Sequence, residues 1–159
     1  MPKALVLYYT RTGTTETMAK AIAQALQEED LSVDLFHCDH FSLHTLPQYH
    51  LIVIGSPTYY GNMAAEVKKL LDESVRFHGE LNGRVGGAFT SSGNPAGGNE
   101  TTILSILQAL LIHGMVIKGM PEGSHYGPVA IECFDQQIEQ ECRNYARELA
   151  KLTKSLWAS

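Results

Sequence analysis

A chain of 159 residues with 44% hydrophobic and 18% charged side chains has the composition of one soluble globular domain with a sizeable core. Its formal net charge of −5 speaks against nucleic acid or an anionic membrane as partner. The longest apolar stretch, Ile103 to Ile112, is too short to span a bilayer, and no leader pattern is visible.

In chain order, Ala4 to Tyr9 is a continuous apolar run, as expected of a strand buried on both faces. Thr10, Arg11, Thr12, Gly13, Thr14 and Thr15 follow, and from Thr17 to Gln27 the residues Met18, Ile22 and Leu26 mark one face of a helix. Leu31, Val33 and Leu35 alternate with Ser32 and Asp34, which suits an edge strand. His37, Cys38, His40 and His44 come next, too irregularly spaced for a metal site, so they read as solvated loop residues and no metal is expected. Cys38, Cys133 and Cys142 lack a CxxC pair and suit reduced thiols in the cytoplasm.

Leu51 to Ile54 is a third strand, and Val67, Leu70, Leu71 and Val75 form the face of a second helix. Val85 to Phe89 reads as a strand, Ile103 to Ile112 as a buried helix stopped by Gly114, and Met115 to Ile117 as a short strand. The segment from Met120 to Ile131 reads as a loop with a short strand at Val129 to Ile131. Ile138, Cys142, Tyr145, Leu149 and Leu152 line a long C-terminal helix. This βα alternation predicts a single α/β domain over 1–159, a doubly wound five-stranded parallel sheet with helices on both faces.

Three hydroxyl- and glycine-rich loops fall at strand ends, where ligands bind in open α/β sheets. The first is Thr10 to Thr15. Free N–H groups and the dipole of the following helix favour an anion there, and threonine hydroxyls add hydrogen bonds. It matches neither GxxxxGK[ST] nor GxGxxG. A phosphate cradle is one reading, an ordinary turn with capping threonines the other. The second loop, Ser56 to Asn62, sets Pro57 and Thr58 before Tyr59, Tyr60 and Gly61, which suits a flat heterocycle, or a turn whose tyrosines cover the sheet edge. The third, Thr90 to Asn99, brings Ser91, Ser92, Gly93, Asn94, Gly97 and Gly98. Its glycines let backbone approach a ligand closely, and a flexible surface loop is the plain alternative. A phosphate site between two walls is the layout FMN needs.

The Thr10–Thr15 loop resembles the phosphate loop of flavodoxins. GSPTYYGNM (Gly55 to Met63), the third loop with Glu100, and HGMVI (His113 to Ile117) resemble the WrbA-type NAD(P)H:quinone oxidoreductases. Tyr126-Gly127 matches a later Tyr-Gly of that family. The resemblance covers nearly the whole chain. It implies the flavodoxin-like strand order 2-1-3-4-5 and FMN as cofactor. It further implies NAD(P)H as reductant, a quinone as acceptor in a ping-pong cycle, and a homo-oligomer. Tyr59, Tyr60 and His113 would shape the substrate face, with His113 touching the flavin and His125 and Tyr126 near its edge. Thr12 stands where that family has tyrosine, and Arg76 near a tryptophan of its quinone site. The segment before Tyr126 is shorter than in that family, which implies a dimer before a tetramer. A flavodoxin-type electron carrier, or an FMN-binding regulatory protein, is the rival expectation.

Overall fold

The computed structural model describes residues 1–158. Strands β1 (Lys3–Tyr8), β2 (Ser32–His37), β3 (Leu51–Tyr59) and β5 (Val85–Ser92) form a parallel sheet in the order β2-β1-β3-β5. Helices α1 (Thr14–Glu28), α2 (Ala65–Glu73), α3 (Asn99–Ile112) and α4 (Gln136–Trp157) cover its two faces. The pleat sorts each strand between them. Ala4, Val6, Leu51, Val53, Val85 and Phe89 pack with Met18, Ile22 and Leu26 of α1 and Tyr145 and Leu149 of α4. Leu5, Leu7, Ile52, Ile54 and Ala88 face the other way, against Val67 and Leu70 of α2 and Ile103, Ile106 and Leu110 of α3. β2 is the edge strand, as its alternation predicts.

The fifth position of the sheet is shared by two short strands. β6 (Val116–Ile117) pairs with the start of β5, and β7 (Val129–Ile131) with its end. The excursion between them, residues 118–128, leaves the sheet and returns to it at the ligand end. Gly127 ends this excursion at φ +147, where an added Cβ would lie 2.1 Å from the Ala88 carbonyl oxygen.

Three segments differ from the sequence reading. α1 begins at Thr14, three residues early, because Gly13 (φ 104) serves as its N-cap and ends the loop. β3 runs through to Tyr59 and turns back through Tyr60-Gly61 into β4 (Asn62–Met63), so the second loop is a β-hairpin. Positive φ at Tyr60 (49) and Gly61 (76) suits such a two-residue turn. Finally, α3 starts at Asn99, and its last residues, Leu111 and Ile112, are 55% and 71% exposed, so the helix is not buried to its end.

Candidate functional site

The first loop is stabilised by its own hydroxyls. Gly13 N–H donates to Thr10 Oγ1 at 3.0 Å, and Thr17 Oγ1 donates to the Gly13 carbonyl at 2.9 Å. The Thr10 hydroxyl thus shapes the loop. No side chain caps α1, which leaves its first N–H groups free for an anion. Thr15 is buried and its hydroxyl lies 2.7 Å from that of Ser91, tying the first loop to the end of β5.

A ladder of hydroxyl groups supports the floor. Thr58 Oγ1 lies 2.8 Å from Thr90 Oγ1, and Thr90 Oγ1 reaches the Ser56 carbonyl at 2.7 Å. Thr58 Oγ1 also approaches Asn99 Oδ1 at 3.3 Å, and Ala64 N–H donates to Ser56 Oγ at 2.8 Å. The hairpin tip is clamped from α3: Thr101 Oγ1 donates to the Gly61 carbonyl at 2.7 Å. At Gly98 (φ +103) a Cβ would stand 2.4 Å from Gly61 Cα. Gly98, expected as a cofactor contact, is therefore needed for backbone packing.

These elements enclose a cleft of about 260 Å³ lined by Arg11, Thr12, Thr14, Thr15, Pro57, Thr58, Tyr59, Ser91, Ser92, Gly93 and Glu132. The three loops therefore converge as their positions at strand ends require. Gly97 and Asn94 lie exposed on the outer part of the third loop, where Asn94 Oδ1 accepts from Ala96 N–H at 2.8 Å. Tyr60 stands fully exposed at the hairpin tip, and Asn62 beside it folds its amide oxygen onto Met63 N–H at 2.7 Å.

Glu132 is the lining residue that sequence reasoning missed. It sits just after β7 with φ 67, and its N–H donates to the Ser92 carbonyl at 2.7 Å. A left-handed backbone is uncommon for a residue other than glycine, and nothing local in the sequence announces it. Thr90, Asn99 and Thr101 were also missed as supports, since their roles depend on cross-strand register.

His113 requires a correction. α3 has 14 residues, so its two ends are about 21 Å apart at 1.5 Å per residue. Its N-terminus meets the hairpin tip; its C-terminus carries His113 to the opposite end of the sheet, beside Ser74 and His78. Ser74 Oγ donates to the Leu71 carbonyl (2.6 Å), so His113 Nε2–H must donate to Ser74 Oγ (2.8 Å). Its Nδ1 is buried without a partner among the described residues. Burial, and then the neighbouring His78, hold the His113 pKa below its usual value. A contact between His113 and the ligand of its own chain is excluded by this placement. His125 and Tyr126 also lie outside the cleft; they line a second cavity on the far side of the third loop.

The flavodoxin family model matches residues 6–103, from the first strand through the third loop. The chain belongs to the flavodoxin family. An NAD(P)H dehydrogenase (quinone) of Azorhizobium caulinodans is 38% identical over 153 residues, covering 82% of this chain and 76% of that relative. A flavodoxin of Clostridium saccharobutylicum is 31% identical over 162 residues, covering 98% and 99%. Among solved structures, a WrbA-like flavodoxin from Agrobacterium tumefaciens superposes with a TM-score of 0.85 at 23% identity, over 98% and 99% of the two chains, and supports the fold.

FMN is the cofactor of this flavodoxin-family chain. The cleft fits it on physical grounds. The uncapped start of α1 lies at one end beside Thr12 and Thr14, an environment that favours an anion. Tyr59 lines the same cleft, and its Oη is buried without a hydrogen-bond partner among the described residues.

Proposed function

We propose that this protein is an FMN-dependent oxidoreductase that uses NAD(P)H to reduce quinones in a ping-pong cycle. The observation that carries the proposal is the third wall of the cleft. Ser91 to Asn99 contains no charged side chain, so it offers no acidic surface to steer a basic protein partner. What it offers is small residues and backbone amides suited to small molecules. The 38% identity to a quinone dehydrogenase over most of the chain supports the same choice.

Bound FMN would supply the hydride acceptance and two-electron donation; the protein supplies position and electrostatics. Thr12, Thr14 and Thr15 with the α1 N–H groups would hold the phosphate, and Arg11 would screen it from the rim. Pro57 and Thr58 form the floor. Tyr59 and Tyr60 would shape the substrate face, with Gly61 and Asn62 presenting backbone N–H groups at the ring edge. Ser91, Ser92, Gly93, Asn94 and Gly97 would close the other wall and exclude water.

Self-association belongs to the same proposal. Val75 is 70% exposed, and with Leu111 and Ile112 it leaves apolar surface at the His113 end of α3, which a dimer would cover. A cytoplasmic location agrees with the free thiols of Cys38 and Cys142, both pushed up to about 12 by burial. No helix among the described residues is long and apolar enough to cross a membrane.

Steady-state kinetics test the proposal. With NADH or NADPH and benzoquinone varied together, reciprocal plots should be parallel. Absence of turnover with every nicotinamide and quinone combination would favour the electron-carrier reading.

A further inference from the structure

A cavity of about 500 Å³ is separate from the FMN cleft and shares no lining residue with it. The third loop and the first turn of α3 form one side, with Glu100 and Thr101. The 118–128 excursion forms the other, with His125 and Tyr126, and Ile103 and Val129 make the floor. The cavity has the size and mixed lining of a small-molecule site.

Its excursion wall is built in advance. His125 Nδ1 lies 2.8 Å from the Met120 carbonyl oxygen, and Met120 N–H donates back to the His125 carbonyl at 2.9 Å. Ser124 Oγ donates to Glu141 of α4 at 2.9 Å. Gly127 is seated against Ala88, where no side chain would fit. A carbonyl can only accept, so His125 Nδ1 carries the proton and a neutral ring keeps Nε2 as an acceptor.

The charged inventory is one-sided. Glu100 is an acceptor, the Nδ1–H tautomer of His125 offers a second, and no lysine or arginine lines the cavity. An anion would meet the Glu100 carboxylate with no lysine or arginine to offset it. A flat ring would find the 41%-exposed face of Tyr126 and the apolar floor. We infer that this cavity binds an uncharged aromatic alcohol, its hydroxyl donating to Glu100 or His125 and its ring lying against Tyr126. Taking the product quinol as that occupant rests on the quinone-reductase proposal; the site itself does not.

The test uses FMN-loaded protein and 2-naphthol as probe, with affinity and position read from protein NMR shifts and no nicotinamide present. The expected result is saturable binding that moves Ile103, Val129 and Tyr126. 2-Methoxynaphthalene, which has no donor, should bind about tenfold more weakly, the usual cost of losing a hydrogen bond to a charged group. Naphthalene-2-sulfonate should not bind. Glu100→Gln and Tyr126→Ala should each weaken 2-naphthol several-fold without changing FMN affinity. Equal binding of the sulfonate, shifts confined to Tyr60 and Asn94, or affinity unaltered in the Glu100→Gln/Tyr126→Ala double variant would overturn the inference. Naphthol binding without quinone turnover would leave the cavity assigned and remove the reductase proposal. Turnover without naphthol binding would do the reverse.

Discussion

The two ends of α3 carry equally distinctive sequence, yet only one meets the loops that surround the cleft. At the N-terminal end, Gly98, Asn99 and Thr101 lock the third loop to the hairpin tip. At the other end, His113 opens a run that resembles a flavin-contacting motif, but its side chain is buried against Ser74, far from the cleft. A motif reports local chemistry. Its distance from the site is set by the helix between them, and 14 residues of helix are enough to separate the two.

The largest expected effect lies at the first loop. Replacing Thr12 and Thr14 together by alanine removes two hydroxyls from the anion end of the cleft. At about 1.5–3 kcal/mol for each hydrogen bond to a charged group, FMN binding should weaken by roughly 3–6 kcal/mol. Riboflavin, lacking the phosphate, should lose far less. Flavin fluorescence titration measures both. His113→Asn in the same assay should leave FMN affinity unchanged; a loss comparable to that of the double variant would erase the contrast between the two ends.

Gly98→Ala comes next. The new methyl would meet Gly61 at 2.4 Å on a backbone at φ +103. Such a residue costs on the order of 1–3 kcal/mol, so thermal unfolding should occur at lower temperature and FMN should bind less tightly. Ordinary melting of this variant would mean that the hairpin and the third loop are not tightly coupled.

The His113 end should announce itself through pH instead. Its folded pKa lies below the unfolded value of about 6.5, so on acidification the unfolded chain takes up the proton first. The stability contributed by the neutral ring is complete above about pH 6.5 and falls away as pH drops through the lower folded pKa. His50, also lowered by burial and then by Arg84, adds in the same sense. Denaturant titrations across this range should show a shallower decline in His113→Asn than in the parent chain. Identical slopes would show that the buried imidazole does not govern acid sensitivity.

Thr101→Val should have the smallest effect. It deletes the hydrogen bond to the Gly61 carbonyl, worth about 0.5–1.5 kcal/mol. Tyr60 should become more mobile in NMR relaxation while the fold persists.

The strand and helix pattern was readable because apolar runs and fourfold spacing leave few alternatives for residues such as Val53 or Ile22. The place of the first loop at the head of α1 was readable because Thr12, Gly13 and Thr14 act through their own backbone and the helix that follows. The second loop was legible in composition but not in shape: Pro57 and Thr58 lie in the strand, and the turn is confined to Tyr60-Gly61. Glu132 and the Thr58–Thr90 pair were illegible because they meet through sheet register across tens of residues. The divided fifth strand was visible as two short apolar pieces. Nothing local revealed that both would lie beside β5.

The most direct test of the central claim is anaerobic mixing of FMN-loaded protein with NADH or NADPH, followed through the visible flavin band. The band should bleach with at least one nicotinamide and return on addition of benzoquinone, over many cycles. A band that neither nicotinamide bleaches, though dithionite removes it at once, would contradict the account and assign the cleft to a protein that only passes electrons on.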